Sequence, residues 1–389
     1  MINVAVETKR NIALLGSTGS IGQQALDIIA EYPDLFRAWL LVANNSADKL
    51  IEQALRFRPQ CVVIANEACY RTVSQALEGT GIEVLAGSQA VANAVTAPEI
   101  DTVLTAMVGY SGLEPTIKAI EAGKKIALAN KETLVVAGDL ISRMLKRSAS
   151  ALYPVDSEHS AFYQCLVGEC HSDINKLILT ASGGPFRTWT KERLETATVA
   201  DALNHPNWSM GSKITIDSAT MMNKGFEMIE AKWLFEVSHR AIEIVVHPQS
   251  IVHSMVEFKD GSVKAQLGLP DMHLPIRYAF GLPARLPSAC RKLTLDDYSS
   301  LTFERPDFER FPLLATAYAA AERGGNAPCV MNAANEIAVA QFLQNKIKFN
   351  DISRIIQETM AWAPFVEHPT YEDYVQSNAE ARHYASTII

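Results

Sequence analysis

Short apolar runs alternate with amphipathic stretches through the first 155 residues. Runs at 11–15, 36–43, 61–65, 82–85, 102–106, 125–129 and 151–155 are rich in Val, Ile, Leu and Ala, and predict β-strands. Between them, segments at 21–31, 47–57, 68–77, 113–122 and 131–146 carry apolar residues at helical spacing. Gly and Pro punctuate the joints, as at Pro33, Gly109, Gly123 and Gly138. Strand, helix, strand at this spacing means parallel pairing through right-handed crossovers. Residues 1–155 therefore read as an α/β domain with a doubly wound, Rossmann-type parallel sheet. Ligands of such sheets bind beyond the carboxyl ends of the strands, so the loops there are where chemistry belongs.

The pattern then changes. A short apolar strand at 177–179 is followed by a Gly/Ser loop. Asp260-Gly261 between runs at 251–258 and 262–267 is a hairpin signal. Met222, Phe226, Ile229 and Trp233 form one apolar stripe of a helix. From residue 311 helical stretches dominate, at 314–322, 330–344 and 351–361. The expected division is thus 1–155, an α+β domain over 156–281, a Pro- and Arg-rich connection over 282–310, and a helical domain over 311–389.

Composition narrows the class. The chain has 389 residues, 48% of them hydrophobic and 20% charged, enough apolar material for ordinary cores. Lys plus Arg is 35 against 43 for Asp plus Glu, a formal charge of −8. An acidic balance argues against a surface that grips nucleic acid, which rests on phosphate neutralisation. It leaves room for a small basic site for one phosphorylated metabolite. Nothing approaches the length of a membrane span. The apolar start, Asn11–Leu15, is too short for a signal-peptide core. Six cysteines include no C-x-x-C pair, so they read as reduced, and a cytoplasmic protein is expected.

Gly16-Ser17-Thr18-Gly19-Ser20-Ile21-Gly22 follows the first strand and opens into a helix. This G-x-x-G-x-x-G turn is a variant of the dinucleotide fingerprint. Its glycines let the backbone close on a pyrophosphate, and the helix N-terminus offers N–H groups. The second strand ends in Asn44-Asn45-Ser46. An NAD site would place a carboxylate there for the ribose hydroxyls. Neutral amides and a hydroxyl can instead donate to a 2′-phosphate, so NADP is permitted.

The middle third carries the remaining candidates. Asp156-Ser157-Glu158 follows a strand, and its carboxylates suit a hard cation such as Mg²⁺ or Mn²⁺. The same tripeptide is also an ordinary helix start, with Asp or Ser as cap and Glu in the first turn. Asn223, Lys224 and Glu227 share one helix face, because i, i+1 and i+4 span about 100° of arc. They read either as a solvent-side Lys–Glu pair or as groups for an anion and a metal. The loop at Ser182-Gly183-Gly184 can approach a phosphate. His205-Pro206-Asn207-Trp208-Ser209-Met210-Gly211 has the make-up of a lid or of a packed surface loop.

Taken together, GSTGSIG, ANKE (Ala129 to Glu132), PVDSEHSA (Pro154 to Ala161), SGGPF, HPNWSMG, DSATMMNKG (Asp217 to Gly225), HPQS-IVHSMV (His247 to Val256), PDM (Pro270 to Met272) and NAANE (Asn332 to Glu336) closely resemble the 1-deoxy-D-xylulose 5-phosphate reductoisomerase family. The resemblance implies NADPH- and metal-dependent rearrangement of 1-deoxy-D-xylulose 5-phosphate and reduction to 2-C-methyl-D-erythritol 4-phosphate, in non-mevalonate isoprenoid synthesis. It implies a divalent cation (Mg²⁺, Mn²⁺ or Co²⁺) on Asp156, Glu158 and Glu227, and Lys131 beside the substrate. Ser157 matches a substrate hydroxyl contact. Ser182, Ser218, Asn223 and Lys224 match the phosphate cradle, with His205 close by, and Trp208 and Met210 the closing flap. Thr18, Gly19, Ser20, Ile21, Asn130, Glu132 and Gly211 match cofactor contacts, and Asn44, Asn45, Ser46 and Met272 are expected in the same cofactor site. Where the family commonly has Gly-Lys-Asn, this chain has Asn44-Asn45-Ser46. A homodimer paired through the hairpin strands is also implied.

Two rival readings compete. A semialdehyde dehydrogenase would use a similar glycine turn but needs an activated cysteine, for which Cys165 and Cys170, near His159 and His171, are the candidates. A non-catalytic dinucleotide sensor would have little need of three carboxylates and a phosphate cradle.

Overall fold

The computed structural model describes residues 9–208 and 210–389. Residues 1–8 of the first expected domain, and Ser209 within the expected lid, lie outside the described residues. In chain order the elements are β1 (Arg10–Leu15), α1 (Ser20–Glu31), β2 (Phe36–Ala43), α2 (Ala47–Phe57), β3 (Cys61–Ile64), α3 (Tyr70–Ala76), β4 (Glu83–Ala86), α4 (Ser88–Ala94), β5 (Thr102–Thr105), α5 (Leu113–Glu121), β6 (Lys125–Leu128), α6 (Glu132–Leu145) and β7 (Ala151–Pro154). There follow α7 (Ser157–Leu166), β8 (Ile174–Ala181), α8 (Lys191–Leu194), α9 (Val199–Leu203), α10 (Ser212–Ala219), α11 (Met222–Leu234), β9 (Ile242–Val246), β10 (Val252–Phe258), β11 (Val263–Leu267) and α12 (His273–Gly281). The chain closes with α13 (Pro312–Arg323), α14 (Ala327–Leu343), α15 (Phe349–Trp362) and α16 (Tyr371–Thr387).

Packing divides the chain into two compact units. The first comprises residues up to Asn130 together with Arg143–Asp156 and Met272–Ala289. Its seven strands run parallel in the order β4-β3-β2-β1-β5-β6-β7. The order reverses at β1, between β2 and β5, as the doubly wound reading requires. Strands buried on both faces carry near-continuous apolar runs, and β1, β2 and β3 supply fully buried Leu14, Leu41 and Val62. α12 belongs to this unit, with the Phe280 ring 5.7 Å from that of Phe36.

The second unit comprises Lys131–Ser142, Ser157–Asp271 and Cys290–Ile389. The segments expected as an α+β domain and a helical tail thus share one packing unit, apart from α12 and its flanks. Its sheet has the order β11-β10-β8-β9, with β10 antiparallel to both β8 and β11 and with β8 and β9 parallel. The Asp260-Gly261 hairpin forms as the sequence predicts: Gly261 takes φ +86°, and Asp260 Oδ1 accepts from the Ser262 N–H at 2.9 Å. One hydrophobic core runs from Phe162 and Leu179 through Phe226 and Ile229 to Leu314, Met331 and Ile355. That continuity makes the C-terminal helices part of the same body.

Candidate active site

In the first unit, the strand-end turn is built around two glycines. At Gly16, φ is +92° and a Cβ would lie 2.6 Å from the Ala106 carbonyl oxygen. At Gly22 a Cβ would lie 2.3 Å from the Gly16 carbonyl oxygen, so helix and turn are pressed together. α1 starts after Gly19 with no side chain capping it, which leaves the N–H groups at Ser20 and Ile21 aimed at the turn. Thr18 and Gly19 lie at the tip, partly or fully exposed. Asn44, Asn45 and Ser46 are exposed beyond β2. Asn130 is buried, and its Nδ2 donates to the carbonyls of Met107 at 2.6 Å and Gly109 at 2.9 Å, holding the loop after β5. Met272 precedes α12 in the same unit. Glu132 and Gly211, from the same expected set, belong to the second unit.

The second unit gathers most of the other candidates. α7 begins at Ser157, so Glu158 stands in a helix first turn, not at a strand end. α11 turns its Met222, Phe226 and Ile229 stripe into the core and carries Asn223, Lys224 and Glu227 on another face. Lys131, just before α6, donates from Nζ to Asn223 Oδ1 and to Glu227 Oε1, both at 2.9 Å. Lys224 Nζ is 2.8 Å from Glu158 Oε1 and also bonds Glu227 Oε2. Ser157 Oγ donates to the other Glu158 oxygen at 2.6 Å. The solvent-side reading of the Lys224–Glu227 pair fails, since both residues are buried. Met221, which caps α11, takes φ +62°, a strained backbone for a side-chain-bearing residue and a common mark of functional sites.

Electrostatics follow from this packing. Burial alone would raise the Glu158 carboxyl, but the Lys224 ammonium and the bonds from Lys224 and Ser157 hold it at about 2. Burial likewise opposes the Lys224 charge, yet Glu158 and Glu227 raise its pKa above the ordinary lysine value. Two ammonium groups thus balance two carboxylates. Asp156, one peptide bond before Ser157, ends the Arg143–Asp156 segment of the first unit.

A third cluster sits on the loops of the same unit. Ser182 Oγ is 3.0 Å from His205 Nε2, while His205 Nδ1 accepts from the N–H groups of Asn207 at 3.2 Å and Trp208 at 3.0 Å. Nδ1 is therefore the unprotonated nitrogen, and Nε2 donates to the serine. Gly184 takes φ +67°, and a Cβ there would lie 2.5 Å from the Ser218 carbonyl oxygen, so the SGGP loop rests on the end of α10. The Trp208 ring is half-buried, 6.4 Å from that of His253. Met210 is half-buried and Gly211 exposed before α10.

Beside these lies a buried pair, His159, named from sequence only beside the candidate thiols, and Glu230, not singled out from sequence. His159 Nε2 donates to the Glu227 carbonyl at 2.8 Å, and its Nδ1 is 3.2 Å from Glu230 Oε2, with both residues fully buried. The signal, had it been read, was a glutamate at i+3 from Glu227 on an otherwise packed helix. The Cys165 thiol of the dehydrogenase reading is not activated: burial pushes it up to about 11, against what a nucleophile needs.

Comparison with known proteins identifies the family. The family profile described as 1-deoxy-D-xylulose 5-phosphate reductoisomerase matches residues 12–138. Profiles for the C-terminal domains of the same enzyme match residues 152–235 and 267–384. The chain is 57% identical over 381 residues to the 1-deoxy-D-xylulose 5-phosphate reductoisomerase of Bacteroides fragilis, covering 98% of each. It is 52% identical over 375 residues to that of Chloroherpeton thalassium, covering 96% of this chain and 97% of the relative. Among solved structures, the Zymomonas mobilis reductoisomerase in complex with NADPH is 42% identical with a TM-score of 0.91, covering 98% of this chain and 99% of that one. A DOX-P reductoisomerase in complex with NADPH, fosmidomycin and magnesium is 39% identical with a TM-score of 0.91, covering 97% and 98%. The chain belongs to the 1-deoxy-D-xylulose 5-phosphate reductoisomerase family.

Proposed function

We propose that the chain converts 1-deoxy-D-xylulose 5-phosphate to 2-C-methyl-D-erythritol 4-phosphate with NADPH and a divalent cation, the committed step of non-mevalonate isoprenoid synthesis. The observation that carries this reading is the buried set of Lys131, Asn223, Lys224 and Glu227 closing on Glu158. It joins an oxygen-donor pair to two ammonium groups in one place. Relatives over half identical along nearly the whole chain bear the same enzyme name.

The donor set fits a hard cation such as Mg²⁺ or Mn²⁺, being carboxylate oxygen only. Glu158 and Glu227 would hold it together with Asp156. A cation held there would supply Lewis-acid stabilisation of the negative charge that develops on substrate oxygen during retro-aldol cleavage and re-addition. Lys131 and Lys224, relieved of balancing the carboxylates, then present positive charge to an anionic substrate. Lys131 supports the enolate oxygen and holds a proton for it, and Ser157 orients a substrate hydroxyl. Ser182, Ser218, Asn223 and Lys224 cradle the phosphate, with neutral His205 fixing Ser182. Trp208 and Met210 close over the sugar and exclude water, which protects the enolate and aldehyde. The turn at Thr18–Ile21, with Asn44–Ser46, Asn130, Glu132, Gly211 and Met272, takes NADPH for the hydride step.

β11 is an edge strand of its sheet, with Val263 49% exposed, and the reading includes a homodimer paired along that edge. No described helix is long and apolar enough to cross a membrane, and a cytoplasmic site is part of the proposal. The test is product identification: protein, 1-deoxy-D-xylulose 5-phosphate, NADPH and Mg²⁺ should yield 2-C-methyl-D-erythritol 4-phosphate by phosphorus NMR and mass spectrometry. Fosmidomycin should block its formation. Recovery of unchanged substrate would refute the proposal.

A further inference from the structure

A second charge network, with both its carboxylates buried, lies in the second unit. Lys213, at the start of α10, places its ammonium nitrogen 2.6 Å from Glu132 Oε1 and 2.8 Å from Asp217 Oδ2. The same nitrogen stands 4.9 Å from the centre of the Phe226 ring. Asp217 is 1% exposed, and its other oxygen accepts from Asn335 Nδ2 at 2.8 Å. Asn335 is fully buried in α14 and belongs to the Asn332–Glu336 run. Its neighbour Glu336 accepts from Asn332 Nδ2 at 2.9 Å and pairs with Arg382 of α16.

The placement of these partners is what matters. Glu132 directly follows Lys131, and Asp217 directly precedes Ser218. Asp217 and Ser218 are neighbours about 100° apart in α10, and Lys131 leads directly into Glu132 at the start of α6, so clamping Glu132 and Asp217 fixes the backbone beside each. One ammonium therefore clamps two segments, each a single residue from a group of the site. Lys213 also lies two residues beyond Gly211, where the lid stretch ends. Burying these charges is costly unless every one is paired, and here both carboxylates are.

We infer that Lys213 is a positioning residue for the reaction: with Glu132, Asp217 and Asn335 it fixes the backbone that carries Lys131 and Ser218, and it ties the C-terminal helices to the site. The inference rests on the proposed reaction. It gives the NAANE segment a task, since Asn335 orients Asp217 from below.

The test compares Lys213→Met, Lys213→Arg and Asn335→Ala with the wild type. The readouts are kcat and KM for 1-deoxy-D-xylulose 5-phosphate, the NADPH dissociation constant without substrate, and the melting temperature. In Lys213→Met kcat should fall about 100-fold, the cost of a roughly 1 Å misplacement of reacting groups, and in Asn335→Ala about tenfold. KM and the NADPH dissociation constant should each rise less than kcat falls, and Lys213→Arg should recover most of the loss, as expected when geometry and not fold is lost. Should Lys213→Met fail to fold, Asn335→Ala decides. Folded variants that keep wild-type kcat, or a Lys213→Arg no better than Lys213→Met, would overturn the inference. A wild type without turnover would overturn the proposed reaction and the inference with it.

Discussion

Lys224 holds its ammonium nitrogen 2.8 Å from Oε1 of Glu158, a carboxylate 66 residues earlier in the chain. The same nitrogen reaches Glu227, whose other oxygen is taken by Lys131. The two glutamates are therefore charge-balanced by the chain itself. Chelation of divalent cations should abolish turnover while leaving the fold intact. The melting temperature should move by no more than about 1–2 °C, roughly what 1 kcal/mol is worth in a chain of this size. Cooperative unfolding on adding chelator, followed by circular dichroism, would show that the lysines do not balance the site.

His205 should stay neutral through the physiological range. Burial, and then the charge of Lys224, push its pKa from 6.5 down to about 4. Protonation would also place a hydrogen on Nδ1, which now accepts from the Asn207 and Trp208 N–H groups. The sign follows: the unfolded chain takes up this proton below about pH 6.5 and the folded chain does not, so the contribution to stability is present above pH 6.5 and is lost as pH falls toward 4. His205→Asn should flatten stability over that window. A proton NMR titration of His205 with a midpoint near 6.5 would contradict the assignment.

Asn45 should decide between the two nicotinamide cofactors. Asn66 Oδ1 accepts from the Ala68 N–H at 3.0 Å, which leaves Asn66 Nδ2 to donate to Asn45 Oδ1 at 2.8 Å. The outward end of Asn45 is thereby its amide donor. A 2′-phosphate only accepts hydrogen bonds, whereas a carboxylate at this place suits the 2′-hydroxyl of NADH. Asn45→Asp should weaken NADPH binding at least about tenfold, the lower range for a hydrogen bond to a charged group, with NADH changed far less. Fluorescence titration with each cofactor reads this directly, and equal effects on both would exclude the role.

Gly138 of α6 meets Trp233 of α11 so closely that a Cβ would lie 2.1 Å from the indole Cδ1. Alanine in a helix interior normally gains about 0.5–1 kcal/mol over glycine. Overpacking costs about 1–3 kcal/mol, so the clash should win. Gly138→Ala is expected to lose about 1–2 kcal/mol in urea denaturation by that difference. A stabilised variant would mean that α6 and α11 can part without penalty.

How legible this was in the sequence depended on where each side chain found its partner. The strands of the first unit stood out because burial on both faces demands near-continuous apolar runs, as over 38–43 of β2. α4 did not stand out: Ser88–Ala94 is built of small and polar residues and buries only Val91 and Ala92. α16 was missed for a related reason, since its buried face is Tyr374, Ser377, Asn378, Ala381 and Ala385, with little apolar signal. At Asp156-Ser157-Glu158 the local pattern fitted a cation site or a helix start, and Glu158 stands in the first turn of α7. Lys213 and Asp217 look like an ordinary i,i+4 surface pair, but Asp217 is buried and bonded to Asn335 of α14, and Lys213 also reaches Glu132 of α6. Roles such as that of Lys131 came from motif resemblance, because no local rule brings Lys131 to Glu227 across 96 residues.

The most direct test follows nicotinamide absorbance while 1-deoxy-D-xylulose 5-phosphate is added to protein, NADPH and Mg²⁺, for the wild type and for Glu227→Gln. The wild type should oxidise NADPH only when both substrate and cation are present. Glu227→Gln should lose at least about 100-fold in rate, since Lewis-acid stabilisation is worth several kcal/mol, and should bind NADPH as before. A wild type that leaves NADPH untouched, or a Glu227→Gln variant that turns over at the wild-type rate, would contradict the assignment.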